Sequence, residues 1–128
     1  MCSACFLKEN NQIYVIASNL NKNGNWEYIK VFDLNGQKIK EINNSNEKTV
    51  CIGIYYDKIL SKNYIITGNS GYIKSYDYNN NQLYHKYNEY SNKEHFSIII
   101  HNNKNIIRLI ESSTCGYIRI WNFHSIYY

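Results

Sequence analysis

Tyr28-Ile29-Lys30-Val31-Phe32-Asp33-Leu34 returns as Tyr72-Ile73-Lys74-Ser75-Tyr76-Asp77-Tyr78 and again as Tyr117-Ile118-Arg119-Ile120-Trp121-Asn122-Phe123. The stretches begin at 28, 72 and 117, so the pattern recurs every 44 to 45 residues. Each opens on Tyr-Ile and a basic residue and ends on an aromatic followed by Asp or Asn, with its last residue apolar. Aromatic and β-branched residues in a run of this length form strands. A strand recurring at such a spacing belongs to a supersecondary unit that cannot bury its apolar face alone and must stack on its neighbours.

Superposing the units brings the other apolar segments into register. A second strand precedes each aromatic one: Ile13 to Ser18, Tyr64 to Thr67 and Ile106 to Ser112. Each ends in Ser or Thr and leads into a turn carrying Gly24, Gly71 or Gly116, where glycine suits a tight hairpin. The first two aromatic strands are followed by Gln37 to Ile42 and Gln82 to Tyr87, polar and apolar in alternation, as fits an outer strand. Cys2 to Leu7, Val50 to Tyr56 and Phe96 to Ile100 suit the innermost position of each unit. The expectation is an all-β chain of about eleven strands and no helix, forming one domain over 1–128 with units at approximately 1–43, 44–88 and 89–128. Four strands per repeat of roughly 40–45 residues predict a β-propeller segment of about three blades, built from four-stranded antiparallel sheets, the last blade incomplete.

The chain resembles the WD-repeat family over nearly all its length. Phe32-Asp33, Tyr76-Asp77 and Trp121-Asn122 stand at the family's Trp-Asp position, and Gly71-Tyr72-Ile73 and Gly116-Tyr117-Ile118 at its Gly-x-Ile step. Only Trp121 keeps the tryptophan, no Gly-His pair precedes the inner strands, and Ser70 and Cys115 replace the turn Asp. In well-matched repeats a His, that Asp, a Ser or Thr and the Trp form a buried hydrogen-bonded set. Here the hydroxyls Ser18, Thr67 and Ser112 remain without the His and Asp, so apolar packing rather than a buried network is expected to hold the blades together. The resemblance implies a non-catalytic scaffold that binds a protein or peptide partner through loops at one end of the blades. Alternatives are a regulatory or targeting segment of a larger enzyme and, more remotely, an RNA-binding module that uses tyrosine stacking.

Three units fall short of the roughly four to eight blades of a closed ring. An apolar sheet face is therefore expected at each end of the arc, and such faces mark partner surfaces. Further blades of a longer propeller, self-association of two chains, or another propeller-forming protein would each cover them.

At 128 residues the chain has the length of one ordinary domain, and with 44% hydrophobic residues and fourteen tyrosines it is too apolar for a disordered chain. Asparagine and lysine gather between the apolar runs, at Asn19 to Asn25, Asn43 to Lys48, Asn79 to Gln82 and Asn102 to Asn105, which read as turns. The +4 charge comes from scattered lysines. Phosphate binding needs cations aligned on one surface, so this spread argues against nucleic acid as a partner. No basic leader with an apolar run follows Met1 and no segment approaches the ~18 apolar residues of a membrane span. The chain reads as intracellular, cytoplasmic or nuclear, with its four cysteines reduced and no membrane partner.

Tyr28, Tyr72 and Tyr117, beside the turns at one end of the units, and Tyr90 in the connector Asn88 to Glu94, are the candidate binding residues. A tyrosine offers a rigid ring and one polar tip at low entropic cost. Phe32, Asp33, Tyr76, Asp77, Trp121, Asn122, Gly71 and Gly116 are assigned to the repeat's structural signature. No cofactor is expected. Cys2-x-x-Cys5 is the one metal-like spacing, and on an extended strand residues three apart point to opposite faces, so no metal site is predicted. His95 and His101 flank an inner strand with no partner base or nucleophile in the sequence, and no nucleophile elbow or phosphate-cradling loop is present, so no catalytic residue is assigned.

Overall fold

A computed structural model describes residues 3–44, 47–70, 72–88, 95–103, 106–113, 116 and 118–122. It is all-β, with eleven strands and no helix among the described residues. Sheet 1 contains β1 (Ser3–Glu9), β2 (Gln12–Ser18), β3 (Ile29–Asp33) and β4 (Lys38–Ile42). Sheet 2 contains β5 (Thr49–Asp57), β6 (Lys62–Asn69), β7 (Tyr72–Asp77) and β8 (Gln82–Asn88). Sheet 3 contains β9 (His95–Asn103), β10 (Ile106–Ser113) and β11 (Ile118–Asn122). In all three, strands adjacent in sequence pair antiparallel, giving plain meanders of four, four and three strands.

The repeat's acidic residue builds the turn that follows it. Asp33 Oδ1 accepts from the Asn35 and Gln37 amides at 2.9 and 2.8 Å, and Asp77 Oδ1 accepts from the Asn79 amide at 2.8 Å. Asp57 does the same after β5, taking the Ile59 and Leu60 amides at 2.9 and 3.1 Å. These are Asx turns, in which the side chain stands in for the backbone acceptor of a turn. The β1–β2 hairpin uses Asn10 and Asn11, both at positive φ, as a two-residue primed turn requires.

The sheets stack in chain order. β5 lies against β1 and β2, and β9 lies against β5 and β6 in the same way. Ladder pairing fixes which residues share a face, because side chains alternate along a strand. On the first face of sheet 2, Ile52, Ile65, Tyr76 and Tyr78 pack with Leu7, Ile16, Ile29, Val31 and Ile42 of sheet 1. On its other face, Tyr55, Tyr64, Ile66, Ile73 and Tyr87 pack with Leu109 of sheet 3. Each sheet thus has a leading face, toward the preceding sheet, and a trailing face, toward the next. At Gly53 sheets 2 and 3 are in contact, an added Cβ there lying 3.7 Å from Ile98 Cγ2.

Sequence pattern explains which sheet is covered twice. β6 carries Tyr64-Ile65-Ile66 without a polar interruption and is buried from Asn63 to Asn69, as for a strand covered on both faces. β1 alternates, with Leu7 buried and Phe6 72% exposed, and β11 alternates likewise. No helix among the described residues is long and apolar enough to cross a membrane.

Candidate interaction site

In an antiparallel meander the second-to-third connection and the connector to the next sheet fall at one end. Residues 19–28 and the adjoining Asn43 and Asn44 therefore lie together at the end of sheet 1 opposite the β1–β2 hairpin. The 19–28 connection is internally braced. Leu20 and Trp26 form a bridge, Asn21 Oδ1 accepts from the Asn23 and Asn25 amides at 2.9 and 3.0 Å, and Gly24 turns the chain at φ 81°. Asn19 Nδ2 donates to Glu27 Oε2 at 3.0 Å, and Lys30 Nζ bonds the same oxygen. Those two donors hold the Glu27 carboxyl below the usual carboxylate range, the lysine contributing most.

This loop walls a cleft of about 460 Å³ whose lining includes Trp26, Glu27, Tyr28, Lys30, Asn21 and Glu41. Lys30 and Glu41 are ladder partners on the leading face of sheet 1, and Trp26 and Tyr28 are half-buried, each leaving part of its ring accessible. Glu41 also pairs with Lys38 at 2.7 Å. Two rings stand around an open cleft with two carboxylates, each already paired with a lysine, so a ligand with an apolar stem and a positive head would share Glu27 with Lys30 and Glu41 with Lys38. Trp26 and Glu27 stand outside the repeat alignment, which is why sequence comparison of the units passes over them.

The candidate tyrosines fall in different surroundings. Tyr28 lines the cleft. Tyr72, its repeat counterpart, opens β7 on the leading face of sheet 2, with Lys86 Nζ 4.1 Å and Lys74 Nζ 5.0 Å from its ring centroid. Burial, then the neighbouring Glu47, pushes its phenol up to about 12. Tyr90, Tyr117 and Gly71 lie outside the described residues. The signature aromatics share one orientation. Tyr76, paired through Ile65 to Ile54, faces sheet 1, and Trp121, paired through Leu109 to Ile100, faces sheet 2 and lies 5.9 Å from the Tyr87 ring. Phe32 pairs through Val15 to Phe6, on the leading face of sheet 1, where the described residues place no sheet. Asn122 is exposed at the end of β11, and Gly116 has φ 79°.

Beside the apolar packing expected between sheets, the structure holds a buried polar network that the sequence did not suggest. A buried cluster joins sheets 1 and 2 beside the 43–48 connector. Asn44 Nδ2 donates to Thr49 Oγ1 at 3.0 Å, Thr67 Oγ1 donates to Asn69 Oδ1 at 2.8 Å, and Asn69 Nδ2 donates to the Lys48 carbonyl at 3.0 Å. Ser18 Oγ donates to the Thr49 carbonyl at 3.1 Å, and Ser3 Oγ accepts from the Ile52 amide at 3.1 Å. Lys74, almost buried, pairs with Glu47 at 2.6 Å. Asparagines and a connector glutamate thus take over work expected of a His and an Asp. The three hydroxyls are also not equivalent. Lys74 pairs with Thr67, whereas Lys30 pairs with Ala17, so Ser18 lies one step further on and points to the trailing face.

The described thiols are poor nucleophiles, since burial pushes both Cys5 and Cys51 up to about 11. Among the described residues, no three His, Cys, Asp or Glu side chains gather to hold a metal. A scan against models of known protein families finds no match, and no curated protein matches the chain.

Proposed function

We propose that the chain is a segment of a WD-like β-propeller acting as a non-catalytic protein-interaction scaffold, and that the cleft beside Trp26 and Tyr28 receives a basic side chain of a peptide partner. Three meanders in sequence, stacked by one rule and repeating every 44 to 45 residues, support the propeller reading. The observation that carries the functional reading is the braced 19–28 loop, which holds two partly accessible rings beside the Glu27 and Glu41 carboxylates. A lysine or arginine stem lies against the rings while its charge meets the carboxylates. A rigid loop limits the ordering cost of binding.

The test is a peptide array scanning sequence contexts around Lys and Arg, followed by fluorescence polarisation with the best binder. Trp26→Ala and Tyr28→Ala are each expected to weaken that binding by about tenfold or more, as for an aromatic anchor worth over ~1.4 kcal/mol. The melting temperature is read on the same samples. Binding that is indifferent to both substitutions and to Glu27→Gln would overturn the reading.

A further inference from the structure

Among the described residues the stacking rule leaves two faces uncovered, and they are of opposite kinds. Sheet 1 presents a leading face with Phe6, Ile13, Phe32 and Ile39, and Leu34 stands exposed in the turn beside it. Sheet 3 presents a trailing face with Ile99, Ile110, Ile118 and Ile120, and Ile118 is 75% exposed. Both junctions inside the chain are formed by a trailing face meeting a leading face.

We propose that the trailing face of sheet 3 docks on the leading face of sheet 1 of a second copy of this chain, and that two copies close head to tail through two such junctions. The inference deepens the scaffold reading by naming one partner, and it rests on the propeller geometry in that reading.

Side-chain volumes at the Gly53 position of the junction argue for this occupant. Ladder pairing puts Cys5, Gly53 and Ile99 at one trailing position, and Ala4, Ile52 and Ile98 at one leading position. Inside the chain a small trailing residue meets a large leading one: Cys5 is equivalent in place to Gly53, which accommodates Ile98. At the open ends the sizes are exchanged. Ile99 is the bulky trailing residue, and Ala4, beside Ala17, is the small leading one. A large residue therefore again meets a small one when sheet 3 packs on sheet 1 of another copy, with neither a void nor an overlap. A junction between unlike faces of identical chains is heterologous, and it gives a ring if the rotation closes. Six sheets fall within the roughly four to eight of closed propellers.

The experiment is size-exclusion chromatography with light scattering on the full chain at micromolar concentration, using variants at exposed positions. The wild type is expected at twice the 15.2 kDa chain mass. Phe6→Glu and Ile120→Glu are each expected at the single-chain mass, with far-UV circular dichroism unchanged. An Ile59→Glu control, in the turn after β5, keeps the doubled mass. Mixing Phe6→Glu with Ile120→Glu restores one intact junction and is expected to return part of the doubled mass. Two-fold association through like faces would not show this complementation. A wild type that elutes as a monomer overturns the proposal and leaves those faces to other sheets or another protein. So does a doubled mass that survives both variants. Peptide binding at Trp26 and Tyr28, measured on the Ile120→Glu chain, reports on the scaffold reading separately.

Discussion

Tyr76→Ala is expected to lower stability by about 3–5 kcal/mol, the range for deleting a large aromatic from a packed core, while Phe32→Ala at the same repeat position costs about 1–2 kcal/mol, as for a half-buried ring. Tyr76 is 2% exposed because its ring lies between sheets 1 and 2, and it packs with Ile65, Val31 and Tyr78. Phe32 holds the same place in the ladder of sheet 1, where its own sheet half-buries it and the described residues place no second sheet over it. Urea unfolding of both variants in the Ile120→Glu background, which keeps the outer face of sheet 1 uncovered, reads the difference. Equal costs would mean that sheets 1 and 2 do not stack with the leading face of sheet 2 inward.

Glu47→Ala is expected to cost about 2–3 kcal/mol, toward the low end for removing one partner of a buried ion pair. Its carboxylate stays 30% exposed, but Lys74, with 10% of its side chain accessible, is left charged between two sheets. The Tyr72 ring, 5.0 Å from the ammonium, offsets only part of that. Two comparisons isolate the cause. Lys74→Met added to Glu47→Ala should recover more than half of the loss, since it removes the uncompensated charge and keeps the volume. Glu41→Ala breaks the exposed pair with Lys38 and should cost below about 1 kcal/mol, less at high salt. If Glu47→Ala is as mild as Glu41→Ala, the connector does not hold the first two sheets together.

Much of this architecture was legible from the period alone. Alternating or aromatic-rich runs place every strand, and the turns after β3 and β7 were legible as Asn35-Gly36 and Asn79 to Asn81, whereas the part that Asp33 and Asp77 play in building them was not. Strand ends were less so. β6 and β9 run beyond Tyr64–Thr67 and Phe96–Ile100 because hydrogen-bonded ladders continue through polar residues such as Asn63 and Asn69. Register was harder still. A hydroxyl at the end of each second strand looks equivalent in sequence, yet one step of slip sends Ser18 and Thr67 to opposite faces. The buried cluster escaped because Asn44, Thr49, Thr67 and Asn69 are distant in sequence and of types that ordinarily mark turns. For the candidate site, Tyr28 was foreseen, whereas Trp26 and Glu27 lie in a connection with no counterpart in the other units. The Leu20–Trp26 bridge that braces it is visible only in the structure.

One junction is repeated between successive sheets, and a methyl nuclear Overhauser spectrum of the isoleucine-labelled chain reads it. Cross-peaks are expected from the Ile98 γ2 methyl to the Gly53 α protons, and from Ile52 to protons of β1. The first follows from the approach of Ile98 Cγ2 to Gly53, the second from the bond between the Ile52 amide and Ser3 Oγ. An Ile98 methyl that reports only on β9 and β10, or an Ile52 that reports only on β5 and β6, would contradict the repeated junction.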